Sequence, residues 1–150
     1  SRRSSRASCS WRDERQRRYL SVIDGIVGGE EEGPLLPTPR PAGVLLAGGD
    51  GAAVDLVCTR VMGFDAAKIP LVRRAFEPTR YPVSCVRPDE VRVVGPSGDR
   101  IAAPRIPFRA SAGWKGFVED ALGPPDDPVE IEPSTFETVA SASAAGEGAA

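Results

Sequence analysis

Gly43-Val-Leu-Leu-Ala-Gly-Gly-Asp50 runs directly into Gly51-Ala-Ala-Val-Asp-Leu-Val-Cys-Thr-Arg-Val61, and the change of period between the two decides the fold class. The run Val44 to Ala47 is apolar and continuous, too short for a helix, and predicts a strand buried on both faces in a parallel or mixed sheet. Beyond it Ala53, Val54, Val57, Cys58 and Val61 recur at helical spacing, so one face of a helix packs on that sheet. Asp50 can cap the helix and Gly63 can end it in the left-handed conformation. A strand that feeds a helix through a glycine turn reads as α/β.

Upstream, Tyr19 to Asp24 predicts a strand that ends in a glycine turn, Gly25 to Gly29. From Glu30 to Pro41 the spacing of Pro34, Pro37, Pro39 and Pro41 predicts an irregular loop, because proline removes donors that helix and central strand both need. Downstream, Asp65 can cap one turn at 66–68, and Pro70 suits the first position of a second helix over 70–76. Short strands follow at Pro82 to Val86, Val91 to Val94 and Arg100 to Ala102, the last after a turn at Pro96 to Asp99. Gly113 to Leu122 predicts a short amphipathic helix with Trp114, Phe117 and Val118 inward, stopped by Pro124 and Pro125. The expected architecture is α/β, a small mixed or parallel sheet with packed helices and a short β appendage, forming part of a larger domain.

Composition sets the limits. The chain has 150 residues, the length of one domain, with 16 Gly and 15 Pro that favour loops and tails. Residues 1–18 hold seven Arg and read as a solvated, disordered arm; residues 19–125 carry the α/β segment. Residues 126–150 are acidic, then an Ala/Ser/Gly tail too poor in apolar surface to order itself. The net charge of −2 gives no field toward nucleic acid or anionic lipid, and no apolar run reaches the eighteen or so residues that span a bilayer. The absence of histidine excludes Ser-His-Asp and Cys-His catalysis and the commonest transition-metal ligand. Cys9, Cys58 and Cys85 lie far apart, form no C-x-x-C pair, and by their odd number suggest a reducing, cytoplasmic setting. The first residue is Ser, which we read as a fragment, a processed chain or a misplaced start.

Between Val22 and Phe76 a series of phrases occurs in order: Val-Ile-Asp-Gly-Ile-Val-Gly-Gly-Glu (22–30), Gly33-Pro34, Gly-Val-Leu-Leu-Ala-Gly-Gly-Asp (43–50), Ala53-Val54-Asp55, Met-Gly-Phe-Asp (62–65) and Lys68-Ile69-Pro70. The series resembles the C-terminal half of the domain-of-unknown-function 362 family, some of whose members carry ferredoxin-type 4Fe–4S clusters. Here Glu31 and Glu32 stand where that family has Gly and Asn, and Gly51 where it usually has Pro. Its N-terminal half and clustered cysteines are not in this sequence, so no iron–sulfur cluster is expected. The resemblance implies a fold and a prokaryotic-style cytoplasmic setting, and supplies no reaction.

The residues best placed for chemistry are acidic. Asp24 ends the first predicted strand, Glu30 follows its glycine turn, Asp50 ends the second strand, and Asp55 lies one helical turn further on. Were the strands parallel neighbours, these carboxylates would share the carboxyl rim where open α/β sheets bind ligands, and would call for a hard cation such as Mg²⁺ or Mn²⁺. Each has a plainer reading: Asp50 as a helix cap, Asp24 as a turn residue, Glu30 to Glu32 as solvated loop, and Asp55 as exposed or as a paired buried acid. The glycine turns at 25–29 and 48–49 admit a phosphate reading, though neither matches a nucleotide-binding fingerprint and Asp50 would repel an anion. Cys58 and Cys85 read as small buried hydrophobes, Arg40 and Lys68 as anion-binding or solvated side chains.

Three functions compete: part of a small-molecule enzyme or iron–sulfur redox protein with an acidic, metal- or ligand-binding edge; a non-catalytic module that contacts a partner protein through the proline-rich loop; or an inactive truncated copy. An unpaired first strand would favour a homodimer.

Overall fold

The computed structural model describes residues 18–80, 82–123 and, for the backbone, 142–144. The expected arm at 1–17, the acidic segment and most of the tail lie outside the described residues. Five strands form one mixed sheet in the order β1-β2-β5-β3-β4: β1 (Ser21–Glu32), β2 (Leu36–Gly48), β3 (Val91–Val94), β4 (Arg100–Ile101) and β5 (Ala142–Ala144). β1 and β2 are antiparallel, as are β3 with β4 and β3 with β5, whereas β2 meets β5 in parallel at Gly48 and Ala142. Helix α1 (Gly51–Val61) packs on β2, and α2 (Pro70–Ala75) packs on α1. The class is α/β, as the sequence implies.

The glycine turn expected at 25–29 is instead the middle of a twelve-residue strand, and the irregular loop expected from Glu30 to Pro41 is the end of β1, a turn at 33–35 and the first residues of β2. The prolines are tolerated because Pro37, Pro39 and Pro41 stand at alternate positions, opposite Glu31, Gly29 and Val27. Backbone groups alternate in direction along a strand, so all three missing donors fall on one edge. β5 joins β2 only at Gly48, so the other edge of this half carries no strand partner among the described residues.

Along β2 burial alternates strictly: Arg40, Ala42, Val44, Leu46 and Gly48 face inward, while Leu45 is 43% exposed. The expectation of a strand covered on both faces is therefore corrected. Helices cover one side only, and Leu45 reflects β-propensity rather than double burial. On β1 the alternation changes phase. Between the pairs Gly25–Val44 and Val27–Pro41, Ile26 stands opposite both Ala42 and Gly43, a bulge in which Gly43 adopts φ 64°. Ile23 and Gly25 point inward before it, Gly28 and Glu30 after it. The bulge thus turns Glu30 toward the protein interior.

The core lies between that face and α1, with Val44 and Leu46 against Val54, Val57 and Val61, closed by Val72, Val91 and Phe108. Each of the three fully buried α1 valines is worth roughly 1.5 kcal/mol or more. Asp50 caps α1 by accepting from Ala53 N at 3.1 Å, and Gly63 follows the helix at φ 73°. The predicted helix at 113–122 is a run of turns, in which Val118 is buried but Trp114 and Phe117 stay 44% and 56% exposed. Two glycines, Gly113 and Gly116, sit inside that stretch and oppose a continuous helix. Pro82 to Val86 forms bends rather than a strand, and Ala142 to Ala144, in the expected tail, supplies β5.

Candidate functional site

Glu30 is 4% exposed and receives Arg109 from across the chain: the Arg109 backbone N donates to Oε2 at 3.0 Å and Nε to Oε1 at 2.8 Å, with Nη2 at 2.7 Å from Oε1. Arg109 also reaches Glu31, Nη1 to Oε1 at 3.2 Å, and its carbonyl accepts from Glu31 N. The carboxylates beside it hold the Arg109 guanidinium above its ordinary pKa, the Glu30 hydrogen bond first. Segment 106–109 is set in place by the end of α1, since Ile106 N donates to Val61 O and Phe108 N to Met62 O.

Gly28 is the register partner of Arg40, and a Cβ there would lie 2.7 Å from the Phe108 ring. The glycine therefore lets Phe108 lie directly on β1, and the Arg40 guanidinium carbon sits 6.0 Å from the ring centre. Arg40 is 3% exposed; its Nε is 3.9 Å from Glu30 Oε2, and among the described residues neither Nε nor Nη2 has a hydrogen-bond partner. Beside this group lies a cleft of about 320 Å³. Met62, Ile69, Phe108 and Trp114 supply its apolar surface, and Glu30, Glu31, Arg109 and Ser111 its polar wall.

The four predicted carboxylates are not brought together. Because β1 and β2 are antiparallel, the end of β1 lies at the opposite end of the hairpin from Asp50. Asp24 is exposed, accepting from Ile26 N, and six residues of strand, roughly 20 Å, separate it from Glu30. Asp50 is buried and fully used: besides the cap, its Oδ2 accepts from Ser84 Oγ at 3.0 Å and Cys85 N at 2.9 Å. Asp55 is exposed on the outer face of α1. Among the described residues no three of His, Cys, Asp and Glu are grouped to hold a metal ion. Gly25 to Gly29 lies within a strand, so the phosphate reading has no helix N-terminus there.

Elsewhere, Lys68 Nζ donates to the Glu119 carbonyl, and Cys58 is a free, half-buried thiol that burial, then Asp55, pushes above its ordinary pKa. Arg105 pairs with Asp120 at 2.7 Å, and that hydrogen bond holds the Asp120 carboxyl below its ordinary pKa. Sequence reasoning missed Phe108 and Arg109. The one available signal was a phenylalanine and arginine following Pro107 with no periodic pattern around them.

Fold and site together define a small mixed α/β unit with a half-aromatic cleft at the far end of a β-hairpin. Residues 8–60 match the family described as "Domain of unknown function (DUF362)", which bears out the resemblance as far as Arg60. A similar protein is the thylakoid-associated protein sll1697 of Synechocystis sp. (strain ATCC 27184 / PCC 6803 / Kazusa), 43% identical over 51 residues. That alignment takes in 34% of this chain and 16% of the relative's length. No solved structure matches the chain. Among the described residues no helix is long and apolar enough to cross a membrane.

Proposed function

We propose that this chain is a small-molecule-binding unit whose ligand occupies the cleft beside Glu30, with its polar part on the Glu31–Arg109 wall and a planar apolar part between Phe108 and Trp114. The buried Glu30 carries this reading. A carboxylate fixed by Arg109 at the wall of an apolar cleft is a preorganised polar anchor, the arrangement typical of ligand pockets. The wall holds Glu30 and Glu31 against Arg109, which favours an uncharged or weakly cationic ligand over an anion. The acidic edge read from the sequence survives in Glu30 alone. Mg²⁺ or Mn²⁺ at a site shared with Asp24, Asp50 and Asp55 is the competing reading, and the dispersal of those groups disfavours it.

The test uses Trp114 as reporter in a Trp11→Phe background, which leaves one of the chain's two tryptophans. Titration with phenol and with adenine, excited beyond the absorption of either probe, should quench its fluorescence saturably, and Glu31→Gln should weaken the response. Linear, unsaturable quenching by both probes would remove the proposal.

A further inference from the structure

A second cleft, of about 430 Å³, opens between the two helices and shares only Phe64 with the first. That volume suits a small ligand, for which pockets run from about 300 to 1,000 Å³. Leu56 of α1 and Val72 of α2, both buried, form its apolar wall with Phe76, the residue that caps α2. Arg60 stands one helical turn after Leu56, so the spacing that buries the leucine brings the arginine to the same cleft. Asp65 enters from the turn between the helices, where its Oδ1 accepts from Ala67 N at 2.9 Å.

Four charged side chains line this cleft, and two of them are already matched. Asp120 is held by Arg105, through Nε at 2.9 Å and Nη2 at 2.7 Å. Arg73 has Glu77 at 3.8 Å, four residues on. Arg60 and Asp65 remain. Among the described residues the Arg60 guanidinium has no hydrogen-bond or ion-pair partner, and the Asp65 carboxylate receives no donor but Ala67 N. One cation and one anion thus border a common apolar space without neutralising each other. Such a cleft favours a molecule that carries both charges, because a singly charged one leaves a wall charge unmatched.

We propose that this cleft binds a free α-amino acid with a large apolar side chain. Its carboxylate pairs with Arg60, whose planar fork of donors suits a carboxylate. Its ammonium pairs with Asp65, and its side chain lies against Leu56, Val72 and Phe76. The proposal does not depend on the cleft beside Glu30.

The test titrates leucine, hexanoate and hexylamine, each to ~10 mM so as to reveal a millimolar Kd, into the isotope-labelled full chain. Leucine should saturably shift backbone amide signals between Leu56 and Phe76, leave those of Gly29 to Glu31 and Phe108 to Ser111 unmoved, and bind more tightly than either singly charged probe. Arg60→Gln and Asp65→Asn should each weaken leucine about tenfold, the loss of one charge-assisted contact. Asparagine keeps an acceptor for Ala67 N, so the turn survives, and Glu31→Gln in the other cleft should change nothing. A leucine titration without saturation overturns the proposal. So does hexanoate or hexylamine binding as tightly as leucine, leucine binding indifferent to either Arg60→Gln or Asp65→Asn, or leucine binding weakened by Glu31→Gln.

Discussion

Glu30 and Arg109 are 79 positions apart in the chain, yet the arginine offers the same carboxylate both its backbone N–H and its guanidinium, at 3.0 and 2.8 Å. The pair ties the end of β1 to the segment after α1 and fixes one wall of the cleft. Its partners are unequal in environment, since the Glu30 side chain is 2% exposed and that of Arg109 46%.

Glu30→Gln should therefore destabilise the fold by about 2 kcal/mol. Breaking a buried pair costs about 3–5 kcal/mol, and the exposure of Arg109 lowers that figure. The same change leaves the buried Arg40 without the carboxylate 3.9 Å from its Nε. Urea denaturation of wild type and variant measures the difference, and a change below ~0.5 kcal/mol, the range of ordinary surface substitutions, would show that the pair does not hold the wall.

Asp50→Ala removes a helix cap and at once the acceptor for Ser84 Oγ and Cys85 N. The cap alone is worth about 1 kcal/mol, and the two further hydrogen bonds bring the expected loss to roughly 2–3 kcal/mol. Thermal unfolding reads it directly. A loss no larger than that for an exposed cap would mean the segment at 84–85 is not anchored there.

Millimolar Mg²⁺ or Mn²⁺ should leave the melting temperature unchanged. A preformed site would stabilise by RT ln(1 + [L]/Kd), about 2.7 kcal/mol at a hundred times Kd. Asp24, Glu30, Asp50 and Asp55 point to separate surroundings and cannot converge on one ion. A saturable rise of several degrees would reinstate the metal reading.

Acid should destabilise the protein through Asp120 and Glu119. Both carboxyls are held below their ordinary pKa, Asp120 by Arg105 and Glu119 by the backbone N–H of Gly116. A depressed folded pKa means stability that is fully present above the unfolded value, near 4, and lost as pH falls through the folded one. The stability profile from pH 6 to 2.5 should thus decline below about pH 4, and Asp120→Asn should flatten that decline. An unaltered acid limb in the variant would assign the loss to other groups.

How much of this was legible depended on range. Asp50, Gly51 to Val61 and Gly63 were readable because a cap, a 3.6-residue period and a left-handed stop are all local. The second helix with Pro70 at its start was readable for the same reason. Residues 25–41 were not. Glycines and prolines there carry turn propensity, and only the pairing of Pro37, Pro39 and Pro41 with β1 shows that their missing donors cost the ladder nothing. At Gly113 to Leu122 the apolar spacing suggested a helix that two glycines and the local turns prevent.

By itself the sequence determined an α/β unit, a helix packed on a strand, a chain without histidine chemistry, and a likeness to one family between Val22 and Phe76. Tertiary structure alone decided that the first two strands run antiparallel, which scatters the acidic residues. It also decided that a one-residue bulge faces Glu30 inward, where Arg109 meets it. The division follows from the physics: propensity and periodicity act over a few residues, while strand direction and register are settled by which faces bury together.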